Sequence, residues 1–355
     1  MEYRIMAAYS AGVNDALTVK AWAKKLFVDA LKDTQADKFM GKTSSSLIHV
    51  RDELSKSAGD QITVGLRVQL TGDGVQGDGT LEGNEEAIVT YSDAVVINQL
   101  RHATRSGGKM TEQRVPFSVR NENKTSLQDW WSDRIDTSFF NQICGYTIQT
   151  DTKFTGNQAT IAPTTARRMW VTGTDDVSQG STNILTLTHF DIAKERIKTL
   201  SPTIRPVMVG GRKKWVAFVH PYQTYQLRTN TSTGQWLDIQ KAAMMGGKIS
   251  DNPIYTGAIG EYNDIIIHED SRVTQGVSNA GAVVTTVRRA VVCGAQAACF
   301  AYGGENGQEM NWVEELFDYK NQLGVSAGMI FGLKKTVFNS TDFGTLVISS
   351  YAAAH

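Results

Sequence analysis

The stretch from 61 to 100 constrains this chain most. Residues 61–70 (QITVGLRVQL) put Ile62, Val64, Leu66, Val68 and Leu70 on one face, with polar residues or Gly65 on the other. Strict alternation of this kind marks a half-buried strand. A polar, glycine-rich tract follows at 71–84 (TGDGVQGDGTLEGN), and then a second β-rich stretch at 87–100 with Val89, Tyr91, Val95 and Ile97. Two strands around so long a tip predict an extended hairpin over 61–104. A loop of that length is uncommon inside a compact domain and usually carries function or moves.

The rest of the chain reads as helices and strands in mixed order. Residues 14–40 predict an amphipathic helix, since Val19, Trp22, Ala23, Leu26, Phe27, Ala30 and Leu31 recur at steps of three and four. Residues 125–144 predict the strongest helix. Leu127, Trp130, Trp131, Ile135, Phe139 and Ile143 form one broad apolar stripe, Ser126 and Asp129 stand at capping-box spacing, and Gly145 suits the position just past the end. Pro116 allows an earlier start, near Met110. Further helices are expected at 189–200 (Thr188 and Asp191 at capping spacing, Pro202 as a stop), 222–229, 237–245 and 295–301. Strands are expected at 214–219, 263–269, 283–293, 309–319, 323–335 and 343–351. No βαβαβ rhythm and no internal repeat appear, which points to the α+β class.

Chemistry is hard to find in these residues. The string Gly72-Asp73-Gly74-Val75-Gln76-Gly77 matches GxGxxG after a strand, but more loop follows where a dinucleotide site needs a helix, and Asp73 and Asp78 would repel phosphate. The acids Asp73, Asp78, Glu82, Glu85 and Glu86 lack the spacing of a calcium loop. Cys144, Cys293 and Cys299 form no CxxC, and six histidines supply neither HExxH nor HxH. His268, Glu269 and Asp270 suggest a surface cluster at a strand end. No catalytic residue, cofactor or metal ligand is therefore assigned. The 36 basic and 36 acidic residues cancel, which disfavours a sequence-specific nucleic-acid binder. No run of about 18 apolar residues is present, so no membrane partner is expected, and no signal peptide is apparent.

Four stretches carry a resemblance: 66–93 (LRVQLTGDGVQGDGTLEGNEEAIVTYSD), 97–114 (INQLRHATRSGGKMTEQR), 127–145 (LQDWWSDRIDTSFFNQICG) and 220–227 (HPYQTYQL). Together they resemble the major capsid protein family of tailed bacteriophages typified by an N-four-like podovirus, over nearly the whole chain. The resemblance implies a Hong Kong 97-like capsid fold. Its parts would be an N-terminal arm at 1–59, an extended E-loop hairpin at 60–106, a peripheral domain with its long spine helix at 107–150, a mainly axial domain at 151–300, and a return to the peripheral domain at 301–355. It implies self-assembly into hexamers and pentamers of an icosahedral shell around double-stranded DNA, contacted non-specifically. Further implied partners are a portal protein and scaffolding and decoration or cement proteins. Assembly would occur in the host bacterial cytoplasm and the product would be the virion capsid.

The inter-subunit residues expected on this reading are Asp73, Gly74, Gly77, Asp78 and Glu82 at the hairpin tip, and Val19, Trp22, Leu26 and Phe27 on the arm helix. In some members of the fold an E-loop lysine bonds covalently to an asparagine of another subunit. Residues 60–106 contain no lysine, so a shell held non-covalently is expected. Two other readings stand beside this one: an encapsulin-like shell holding protein cargo, and a cytosolic hydrolase whose site assembles only in space.

Overall fold

The computed structural model describes residues 36, 39–54, 59–209, 211–230, 260–303 and 311–354. Two strands open it, β1 (Met40–Gly41) and β2 (Ile48–Leu54), paired in parallel. The hairpin follows as β3 (Gln61–Arg67) and β4 (Thr90–Val96), and β5 (Asn98–Arg105) continues beyond Ile97. Then come α1 (Lys109–Arg114), α2 (Val119–Ile143), β6 (Arg168–Trp170), α3 (Leu187–Thr199), β7 (Val207–Val209) and β8 (Arg212–Val219). The middle of the chain adds α4 (Pro221–Thr229), β9 (Gly260–Tyr262), β10 (Ile265–Glu269), β11 (Gln275–Val277) and β12 (Val283–Cys293). The last part holds β13 (Ala298–Gly303), β14 (Asn311–Phe317), β15 (Gln322–Lys335), β16 (Val337–Phe338), β17 (Thr341–Asp342) and β18 (Thr345–Tyr351).

Two large sheets pack around α2. The first runs β1-β2-β13-β15-β14, with β5 also paired to β15; the second runs β6-β18-β12-β8-β10-β9, with β7 on β8 and β11 on β12. At 25 residues, α2 is roughly 37 Å long at 1.5 Å per residue. Its Leu127, Trp131, Phe139, Phe140 and Ile143 share one core with Val50, Phe300, Met329, Phe331 and Leu333 of the first sheet and Val216, Phe218, Val291, Cys293 and Val347 of the second. Period-two alternation turns the neighbouring residues of the second sheet the other way. Trp215, Ala217, Val219, Val292, Leu346 and Ile348 meet Leu187, Phe190, Ala193 and Ile197 of α3. On the first sheet, Cys299 and Ala301 face away from α2 and take the base of the hairpin, Ile62 and Val95. The order through the molecule is hairpin, first sheet, α2, second sheet, α3.

Several sequence expectations need correction. The long helix begins at Ser118, whose hydroxyl accepts from the Asn121 N–H at 3.4 Å, so Ser126 and Asp129 lie inside it and cap nothing. Pro116 falls in the break between α1 and α2. The C-terminus is as expected. Gly145 takes φ +63°, and the Gly145 and Tyr146 amides donate to the Gln142 and Asn141 carbonyls, a Schellman closure. The cap of α3 lies two residues earlier than expected, at Thr186, whose N–H donates to His189 Nδ1 at 3.1 Å. The helix expected at 295–301 is the strand β13. All six of its residues are buried, paired to β2 on one side and β15 on the other. Its alanines favour a helix in isolation, but a two-sided ladder within the core outweighs that preference. Of the helix expected at 14–40, only residues 36, 39 and 40 are described, and Met40 starts β1. The helix expected at 237–245 lies outside the described residues.

A buried charge cluster ties the helix end to the second sheet. Asp176, fully buried, receives Arg289 Nε at 3.0 Å, Arg168 at 2.8 Å, Trp170 Nε1 at 3.0 Å and the Val277 N–H at 2.8 Å. Arg289 also donates to the Cys144 and Gly145 carbonyls, at 3.3 and 2.9 Å. Burial pushes the Asp176 carboxyl up, but the two guanidinium groups overcome it and hold the group below the usual carboxylate range. Removing one member of a buried pair costs about 3–5 kcal/mol where it strands the other charge; here Arg168 still holds Asp176, so the loss falls at the lower end of that range. Arg289→Ala should therefore lose about that much stability in a denaturant titration, and an unchanged midpoint would show that the cluster does not join the layers.

Candidate assembly surface

The hairpin is anchored at its base and bare at its tip. The β3–β4 ladder runs in register from Gln61↔Val96 to Arg67↔Thr90. At the base, the Lys334 ammonium contacts the Asp93 carboxylate and donates to the Ala94 carbonyl at 2.9 Å, while Asp93 Oδ2 accepts from the Val337 N–H at 3.1 Å. Neighbouring Lys335 points to the opposite face, where its ammonium pairs with buried Asp342 at 2.8 Å. The strand expected at 87–100 is thus two elements. Thr90–Val96 belongs to the hairpin, whereas Asn98–Arg105 pairs with Phe331–Gly324 of β15. The side-chain pattern alone does not mark the switch at Ile97.

Beyond the ladder, Val68 is half-buried and residues 69–89 are all exposed. Asp73, Gly74, Gly77, Asp78 and Glu82 lie together in this tip, as the sequence places them. Gly74 and Gly77 adopt φ of +72° and +65° in open space, the turns that keep 72–77 a loop and not the start of a helix. Sequence reasoning missed two features. One is a clasp: the Glu86 carboxylate accepts from the Thr71 N–H at 2.9 Å and the Gly72 N–H at 2.6 Å, and these bonds hold its pKa below the usual value. The other is apolar. Leu70, Leu81, Ile88 and Val89 are exposed, Leu81 by 60% and Ile88 by 65%. The acids drew attention because they look like ligands, whereas the aliphatic side chains among them carry the larger free energy of burial.

Other expected features fall elsewhere. Val19, Trp22, Leu26 and Phe27 lie outside the described residues. His268 and Asp270 do not make a surface cluster. The His268 ring packs edge-on against Phe39, with centroids 5.2 Å apart, and Asp270 is buried and paired with Arg272 at 3.2 Å. The same Arg272 reaches Asp133 and Asp136 of α2, and Asp136 accepts from the Ala36 N–H at 2.8 Å, which ties the N-terminal segment to the helix. All three cysteines are buried free thiols, and burial pushes Cys299 up to about 12. Among the described residues, no three His, Cys, Asp or Glu side chains gather as a metal site.

A rigid layered body that projects an anchored hairpin with an uncovered apolar tip is a subunit shaped for assembly. Known proteins agree. The sequence matches the family model described as phage capsid protein over residues 10–354. It is 28% identical over 373 residues to a major capsid protein of Pseudomonas phage KPP25, covering 96% of each chain. Among solved structures, the capsid of Ralstonia phage GP4 superposes with a TM-score of 0.80 at 31% identity, over 98% of this chain and 99% of that one. The cyanophage Pam1 capsid gives 0.75 at 22% identity, over 99% and 100%, and shows the shared fold. The chain belongs to the phage capsid protein family and has the Hong Kong 97-like fold. It is a major capsid protein and forms the phage shell together with copies of itself.

Glu86→Ala should leave the melting temperature of the body unchanged while speeding hydrogen exchange at the Thr71 and Gly72 amides about tenfold or more. Exchange at the wild-type rate would mean that Glu86 does not order the tip.

Proposed function

We propose that the shell is built from hexamers and pentamers in which the hairpin of one subunit lies on its neighbour and encloses double-stranded DNA. The exposed aliphatic tip carries this reading. Full burial of a leucine, isoleucine or valine contributes about 1.5–3 kcal/mol. Four such side chains offset part of the cost of association, and closure of a symmetric shell repeats the contact many times. The first sheet with α2 forms the peripheral domain around the spine helix, and 60–106 is the E-loop. The second sheet with α3 and α4 forms the axial domain; because β18 pairs with β12 in that sheet, the return to the peripheral domain expected over 301–355 is carried by β14 and β15 and not by β18. Residues 1–59 act as the arm, and Val19, Trp22, Leu26 and Phe27 are its proposed contacts with a neighbour.

The function is structural, without a catalytic site. An overall balance of charge suits a wall that faces packaged DNA without gripping it. Portal, scaffolding and decoration proteins complete the partner set, and assembly takes place in the host cytoplasm. The known relatives are phage capsids, which favours this reading over a cargo shell or a hydrolase.

Two outcomes test it. Deleting 72–84 should leave a folded, soluble subunit that no longer closes shells, as seen by size-exclusion chromatography and electron microscopy. Normal shells from that variant would defeat the tip-docking reading. Mature particles should also run as monomer on a denaturing gel, because the hairpin has no lysine to cross-link. A ladder of covalent multimers would contradict it.

A further inference from the structure

The hairpin tip is one-sided in charge. Residues 68–89 contain Asp73, Asp78, Glu82, Glu85 and Glu86 and no lysine, arginine or histidine. Only the Glu86 and Glu85 carboxylates are engaged within the tip, by the amides of Thr71, Gly72 and Gly83. A surface that receives this tip needs cations around an apolar floor.

One concavity offers both. A cleft of about 470 Å³ opens where the break between α1 and α2 meets the β14–β15 turn. Phe117, Leu316 and Leu323 supply apolar lining, and Leu316 is 54% exposed. Lys109 and Lys320 stand at its rim, both exposed, and neither ammonium has an ion-pair partner among the described residues. Arg120 adds a third cation, though it is held by Glu314 at 2.7 Å, and Glu112 is the one acidic residue of the lining, against these three cations. The first turn of the long helix also lines the cleft and brings the positive end of its dipole.

The tip cannot reach this cleft in its own subunit by the path the strands take. The hairpin base is fixed to β15 at Lys334, whereas the cleft lies at the other end of that strand, at Leu323. Eleven residues at about 3.3 Å each separate the two points by roughly 36 Å, and no tip residue lines the cleft. A donor at one end and an acceptor at the other make a head-to-tail contact, which closes rings when repeated by rotation.

We propose that the cleft bounded by Lys109, Lys320 and Phe117 receives the acidic hairpin tip of a second copy of this chain. This rests on the capsid reading and specifies its receptor. The test uses the full chain under conditions where the wild type yields particles. Lys109→Glu with Lys320→Glu, and separately Asp73→Lys with Asp78→Lys, should each reduce particle yield about tenfold or more, since each weakened contact recurs throughout the shell. Combining the four changes should restore yield to within a few-fold of wild type. In assembled particles, Lys320→Cys with Asp78→Cys should give inter-subunit dimers and a ladder with a short bis-maleimide, because the native thiols are buried.

Normal yield from the lysine variant would overturn the proposal. So would a combined variant no better than the worse parent, or the absence of cross-links in particles. Cross-linking from Asp78→Cys to Lys213→Cys would move the receptor to the β7–β8 hairpin and also reject this assignment. In all of these the wild-type particles leave the capsid reading standing. Absence of wild-type particles under any condition would count against that reading instead.

Discussion

The structure depends on Arg289. Its guanidinium is buried where three segments distant in sequence meet: the end of α2, the sheet strand β12 on which it lies, and the loop that carries Asp176. A cation at a helix C-terminus is favourable because the last carbonyls point their negative ends there. Here Asp176 neutralises the cation as well, and Arg168 on β6 completes the cluster. Because its guanidinium bonds Asp176 and the Cys144 and Gly145 carbonyls together, the arginine fixes where the helix ends relative to the second sheet. Arg272 does the same midway along the helix through Asp133 and Asp136.

The consequence is a body with one stiff axis and layers held to both of its sides. Trp131, Phe139 and Phe140 spend their bulk on the shared core, so neither sheet can slide along the helix without opening a cavity. The hairpin is the exception. Its base is locked by Asp93 and by the packing of Ile62 and Val95 on Cys299 and Ala301, but its tip has no layer above it. Rigidity in the body and exposure at the tip are complementary properties for a shell subunit. A stiff body sets the geometry of the lattice, and an uncovered tip leaves free energy to be gained only when a neighbour arrives.

Much of this was legible before any coordinates. The residue pattern places Val283–Cys293 at its true boundaries and makes the long helix, its glycine terminus and the hairpin visible, because each is governed by local periodicity or a local cap. The misreadings share a cause. β13 carries helix-favouring alanines and is a strand only because β2 and β15 pair with it from distant parts of the chain. The break at Ile97 is invisible in the alternation, since both β4 and β5 are strands and only their partners differ. His268 and Asp270 looked solvent-facing because polar residues at a strand end usually are, yet Phe39 and Arg272 cover them.

By itself the sequence determined the class of fold, the capsid family, the projecting hairpin and the acidic character of its tip. These follow from residue order within short windows and from long family-typical strings. Only the tertiary structure decided what the tip could not show alone. It showed that the aliphatic residues there are uncovered, that Glu86 closes the loop on itself, and that two lysines from segments 211 positions apart frame one cleft. The physical reason is distance along the chain. Burial, ion pairing and concavity are made by residues that meet only after folding, and no local pattern records which ones will meet.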